Sequence, residues 1–206
     1  MNAAPYKPRQ DIRPSQGAIY RDIEVSVAVG GPDIDLQRWT FPYSAVMTQE
    51  CDLLQDDSAR QAEPKSDSAR DDKLLLAVLL CPAYKAAAFR NGEHLQFLGR
   101  RMQRHSSNSW RRIKSNQNAR YHYLSEWREL QVAELVVDFK HFFTLPIEVL
   151  RDAFGNDKHY IARLSSLYRE DLSQRFASYL ARIGLPVQHH QLNSAPRPTE
   201  PRPSPR

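Results

Sequence analysis

The sequence predicts a small, mainly β domain completed by a helix packed near its C-terminal end. Three observations predict it. Ile19, Ile23, Val25, Val27 and Val29 all fall on odd positions, the period of a strand with one buried face. Tyr121, Tyr123, Leu135, Val136, Val137, Phe139, Phe142 and Phe143 concentrate strand-favouring residues in one stretch. Tyr168, Leu172, Phe176, Tyr179, Leu180 and Ile183 recur on a single helical stripe.

Taken in order, the first strand runs from Gly17 through Val29 and is followed by a turn at Gly30-Gly-Pro-Asp33. Trp39 to Leu54 returns as a second strand, and Gln49, Glu50, Cys51 and Asp52 stand at its end. Residues 55–72, rich in Ser, Asp, Arg and Gln and containing Pro64, read as a mobile acidic loop. Leu74 to Leu80 is a continuous apolar run of strand length, closed by Pro82. Tyr84 to Arg90 reads as a helical turn, Leu95 to Met102 as the start of a helix, and the segment from there to Ala119 as loop. Arg120 to Leu124 and Glu134 to Phe143 are strands. Pro146 suits the first turn of a short helix that reaches Phe154 and stops at Gly155. The striped helix follows, with Gly184 as its cap and Pro186 barring continuation. The core domain is therefore expected over residues 16–187. Residues 1–15, with Pro5, Pro8 and Pro14, and residues 188–206, with Pro196, Pro198, Pro201, Pro203 and Pro205, bury too little apolar area to offset ordering entropy and are expected to be disordered.

Charge is distributed unevenly. His94 through Ser125 contains no Asp or Glu but holds Arg100, Arg101, Arg104, Arg111, Arg112, Lys114 and Arg120, more positive charge than the net +5 of the whole chain. Such a basic segment, residues 100–120, attracts phosphates through Coulomb attraction and counterion release, or else is a solvated loop. The longest apolar run, Leu74 to Cys81, is far below membrane-spanning length, so no membrane partner is expected. The first residues lack the apolar stretch of a secretory signal, and a cytoplasmic location is expected. Cys51 and Cys81 are the only cysteines and cannot assemble a four-cysteine zinc site; no cofactor or metal is expected. Phosphate-loop, dinucleotide-binding and zincin motifs are absent, which removes support for those chemistries.

The order of Gln16-Gly-Ala-Ile-Tyr20, Phe41-Pro-Tyr-Ser-Ala-Val-Met-Thr48, Leu74 to Leu80 and Leu135-Val-Val-Asp-Phe139 resembles the PemK/MazF toxin family. Thr48-Gln-Glu-Cys-Asp52 and Phe176 to Pro186 are similar to uncharacterised bacterial proteins with a barrel of that sort. The resemblance implies an SH3-like (PemK/MazF-like) barrel plus a packed C-terminal helix. It departs from the toxins at Phe41, where they carry a catalytic Arg, and in a spacing from Pro42 to Thr48 that is one residue longer.

Thr48, Cys51 and Asp52 are the candidate catalytic residues. Thr48 is the residue type that positions a phosphate, and Arg38 or Arg112 stands in for the missing Arg. Cys51 is either a small packed residue or a thiol whose base is His122 or His141. Asp52 with Gln49 is equally suited to capping backbone donors. Arg100, Arg101, Arg104, Trp110, Arg111, Arg112, Lys114 and Arg120 are the candidate nucleic-acid contacts, because cations interleaved with aromatics suit single strands. The expected function is a bacterial nucleic-acid-binding protein of toxin–antitoxin or phage-defence type, with RNA or single-stranded nucleic acid as partner. The alternatives are a PemK/MazF-like endoribonuclease, and a non-enzymatic module that meets a protein partner through the acidic loop or the C-terminal helix. Catalysis is left open.

Overall fold

The computed structural model describes residues 5–7, 12–30, 34–62 and 71–182. The fold is mixed α and β rather than mainly β: a curled antiparallel sheet carries helices on both faces. Strand β2 (Ala18–Val29) and β3 (Asp35–Val46) form a long hairpin, and helix α1 (Glu50–Gln61) follows. After it come β4 (Ala77–Lys85), α2 (Ala86–Asn91), α3 (Ser107–Lys114), β5 (Tyr121–Leu124), β6 (Leu135–Asp138), β7 (Phe143–Pro146), α4 (Ile147–Gly155), β8 (Tyr160–Leu164) and α5 (Ser166–Leu180). One short strand, β1 (Tyr6–Lys7), precedes them all.

The sheet runs β1-β8-β2-β3-β4-β6-β5, and β7 pairs with the first half of β4. β4 is the pivot. Its Leu80–Ala83 segment pairs with β3, while β7 and then β6 share its other side. Pro82 was expected to end this strand but lies inside it. It falls in the gap between the β7 and β6 ladders, where that side makes no demand on its absent N–H. In the hairpin the register passes over Asp22, whose φ is 54°, opposite Pro42, another residue with no N–H to give.

Alternate residues of each central strand enter different cores. Ile19, Ala45, Cys81, Leu135, Val137 and Ala162 meet Leu172 and Phe176 of α5 on one face. On the other face Tyr20, Val46, Val78, Leu80 and Tyr160 meet Leu53 of α1 and Leu150 and Phe154 of α4. Tyr84 and Val136 meet Phe89 of α2 and Ile113 of α3. Double coverage explains why Leu135-Val-Val-Asp138 lacks alternation: all four residues are buried.

Several expectations are corrected. Tyr6 and Lys7 were assigned to a disordered arm, yet they pair with Leu164 and Arg163, and Tyr6 is buried against the ring of Trp127. An aromatic that can cover a sheet edge outweighs the Pro-rich composition around it. The second strand stops at Val46, and the first part of the expected acidic loop, residues 55–61, is helix: Asp56 and Asp57 are buried and ion-paired to Arg60 and Arg151, which turns a run of charges into an interface. The basic segment is not a loop throughout, since Ser106 caps α3 and accepts from the N–H of Ser109. Leu95 to Met102 is a single 3-10 turn at Gln96–Leu98. Strand β8 was not anticipated; its five residues, Tyr160–Leu164, are flanked by turn and helix signals that hid it. The stripe residues Leu172 and Phe176 are buried, whereas Leu180 is exposed. Ile183, Gly184, the tail from 188 and residues 63–70 lie outside the described residues. Among the described residues, no helix is long and apolar enough to cross a membrane.

Candidate functional site

The chemistry of the chain converges on Asp138, the last residue of β6, which is fully buried. The side chain of Arg120, just ahead of β5, grips it with two parallel bonds, Nε to Oδ1 at 2.8 Å and Nη2 to Oδ2 at 2.6 Å. Antiparallel pairing of Tyr121 with Asp138 sets this meeting, because it brings the first residue of β5 beside the last of β6. The Lys140 N–H donates to Oδ1 at 3.0 Å, and Nδ1 of His141 lies 3.1 Å from Oδ2. Burial alone raises a carboxyl's pKa. Here the hydrogen bonds and charges of Arg120 and His141 outweigh it, and the group is held at about 2. Asp138 is therefore an anion at any physiological pH.

Around this anion stand rings. Arg120 lies over the ring of Tyr121 at 4.8 Å. His94 and His105 both stack on Phe89, at 4.4 and 5.1 Å between centroids. Burial lowers the pKa of both; for His94 it falls to about 4, against the pull of Asp138. The Tyr84 hydroxyl and His94 Nδ1 are buried without a hydrogen-bond partner.

His141 joins this polar cluster to a cleft of about 240 Å³. One wall is the β2–β3 hairpin, through Val25, Val27, Trp39 and Phe41; Leu95, Leu98 and Arg100 form another; Tyr84, His141, Phe142 and Phe143 complete it. Phe41 stacks on Phe143 at 4.6 Å and meets Phe97 edge-on at 6.0 Å. The wall carrying Arg100 is fixed by Gly92, whose φ is +78° and where a Cβ would stand 2.1 Å from the Met102 carbonyl oxygen. The Met102 N–H donates to the Gly92 carbonyl and the His105 N–H to that of Arg90, which tie the Arg100 segment to the end of α2. Among the described residues, no acidic side chain lines the cleft.

The residues singled out from sequence are spread over three places. Glu50, Cys51 and Asp52 form the first turn of α1, with Gln49 as its N-cap. Glu50 is bound by Arg13 at 2.7 Å and accepts from the Gln16 N–H at 2.8 Å; Arg169 lies 3.9 Å away. Its cations come from outside the basic segment. Cys51 and Asp52 are exposed, with Sγ 3.5 Å from Oδ1 of Asp52. Thr48 is occupied structurally, its hydroxyl accepting from the Leu79 N–H at 2.7 Å. Arg100 reaches the cleft; Arg101, Arg104, Arg111 and Arg112 are exposed. Lys114 pairs with Glu134 at 3.2 Å, Trp110 meets Tyr123 edge-on, and Arg120 is committed to Asp138. Arg38, exposed on β3, faces Glu24 at 3.6 Å.

His122 is buried on the α5 side, 3.9 Å from Asp171, whereas Cys51 is exposed on α1. Sequence reasoning did not assemble Asp138, His141, Trp39, Phe41 and Phe142 as a site. One signal was present: a carboxylate inside the apolar run Leu135 to Phe139, which must be paired if buried. Among the described residues, no group of three or more His, Cys, Asp or Glu is arranged to hold a metal ion.

Comparison with family models, with curated proteins and with solved structures finds no match to this chain.

Proposed function

We propose that this chain binds single-stranded nucleic acid, RNA foremost, as a bacterial cytoplasmic protein of toxin–antitoxin or phage-defence type. The observation that carries the reading is the aromatic cleft with Arg100 on its wall, continuous in sequence with the exposed Arg101, Arg104, Arg111 and Arg112. Aromatic faces take bases of any sequence, and exposed guanidinium groups take phosphates. The curled sheet is read as an open variant of the SH3-like barrel of PemK/MazF toxins, on the order of the β2, β3, β4 and β6 motifs.

Titration of labelled single-stranded RNA and DNA over a salt series tests this. With four or five phosphates neutralised, log affinity should fall with log salt at a slope of about −3 to −3.5, and removing Arg111 and Arg112 together should flatten it by about 1.4. Absence of binding at every salt concentration overturns the reading.

One observation favours endoribonuclease activity as a second reading: His141 turns Nδ1 toward a buried carboxylate, which leaves Nε2 as the ring nitrogen available to the cleft. Among the described residues the cleft lining offers no Ser, Thr or Cys nucleophile, so in this reading the substrate brings its own hydroxyl. In this reading Nε2 takes the proton of an RNA 2′-hydroxyl as that oxygen bonds to phosphorus. The P–O5′ bond breaks, and the departing oxygen takes a proton from water. Cleavage of RNA but not DNA, lost in His141→Gln and retained in Thr48→Ala, is the expected result; intact RNA after prolonged incubation removes this reading and leaves binding alone.

A further inference from the structure

We infer that the cleft is a receptor for one unstacked nucleobase, with the attached phosphate on Arg100 and the base edge on Nε2 of His141. This rests on the nucleic-acid reading and specifies how that site takes its ligand.

Size comes first. At about 240 Å³ the cleft is smaller than the roughly 300–1,000 Å³ of sites for drug-sized ligands, so it suits one flat ring system and not a folded dinucleotide. Its faces come second. Trp39 and Phe142 present rings beside the buried Phe41, and Phe142 is 45% exposed, so a ring face is open for a base to stack on. The third argument is charge. Among the described residues Arg100 makes no ion pair and no acidic residue lines the cleft, so an anion is favoured over an ammonium-bearing ligand such as an aromatic amino acid. Last, a polar side chain positioned to read an edge stands beside a fixed carboxylate. Nδ1 of His141 lies 3.1 Å from Oδ2 of Asp138, and Arg120 and the Lys140 N–H hold Asp138 in place.

The test uses the full chain and the four nucleoside monophosphates AMP, GMP, CMP and UMP as probes. The indole N–H signals of Trp39, Trp110 and Trp127 are followed by NMR and assigned by single Trp→Phe substitutions. A saturable shift of the Trp39 signal, weakened about tenfold or more in Arg100→Glu and in His141→Gln, is expected. Arg100 is exposed, so its substitution tests the site without threatening the fold. No shift of the Trp39 signal at millimolar concentrations of any monophosphate overturns the inference; salt-sensitive oligonucleotide binding in the same preparation would then leave the nucleic-acid reading intact. Shifts equally strong with unphosphorylated nucleosides overturn the role of Arg100. A Trp39 response to monophosphates without any oligonucleotide binding upholds the receptor and overturns the strand-binding reading.

Discussion

Asp138 is the residue on which most of the site depends. A fully buried carboxylate is tolerable only because Arg120, Lys140 N–H and His141 surround it. Removing one partner leaves a charge with nothing to balance it. Arg120→Ala should therefore cost about 3–5 kcal/mol in urea unfolding, whereas Asp138 and Arg120 replaced together by apolar residues should cost less than either single change. Two buried histidines set the response to acid. Burial lowers the pKa of His122 to about 3, aided by the charge of Arg175, and that of His94 to about 4, from an ordinary value of 6.5. Between 6.5 and those values the unfolded chain binds more protons than the folded one, so stability is full above 6.5 and falls as pH falls. Each pH unit in that window removes at most about 1.4 kcal/mol per histidine. Melting temperatures should decline steadily from pH 7 to pH 4.5, and the slope should be shallower in His122→Gln.

At the level of elements, the segment joining α2 to α3 turns scattered arginines into a surface. Its geometry is fixed at Gly92, which combines a positive φ with a carbonyl 2.1 Å from where a Cβ would sit. Gly92→Ala should destabilise by more than about 1 kcal/mol, the ordinary cost of the conformation, since backbone must also move. Hydrogen exchange is the sensitive readout: the amides of Met102 and His105, which close this segment, should lose protection before those of β2 and β3 do. The outer half of the β2–β3 hairpin performs the matching task on the opposite wall. Val25 pairs with Trp39 and Ile23 with Phe41, so the pleat delivers the two cleft aromatics to one face.

For the molecule as a whole, the question is how a curled sheet holds the two ends of its strand order together. The end strands are β1 and β5, and they are bridged by side chains: Tyr6 of β1 stacks on Trp127, at 5.8 Å, and Trp127 bridges to Val132 in the β5–β6 connection. Tyr6 shares a core with Leu124, Val132 and Leu135. Deleting its ring opens a cavity at the seam, and Tyr6→Ala should lower stability by about 3 kcal/mol or more, close to other large aromatic truncations. Loss of the near-ultraviolet dichroism of Trp127 at unchanged far-ultraviolet signal would locate the damage at the seam, while an unaffected unfolding midpoint would show that the end strands stay together without it.

The strand at Ala18–Val29 could be read from a string of residues, because strand-favouring residues at a period of two are a local signal, but its single buried face could not: Ile19 and Ile23 enter different cores and Val29 is exposed. The cation excess of residues 100–120 was equally plain. Partnership was not. Arg120 belongs to that cation run by composition, but the β5–β6 register binds it to Asp138. Glu50, Cys51 and Asp52 looked like the end of a strand and are a helix start, since an apolar run followed by polar residues fits either until a neighbour covers Leu53. The cleft joins β2, β3, the turn before Arg100, and His141 to Phe143, segments whose separation along the chain carries no trace of their proximity. Local order is written in side-chain periodicity; a site made of distant segments arises only when the sheet curls and brings them face to face.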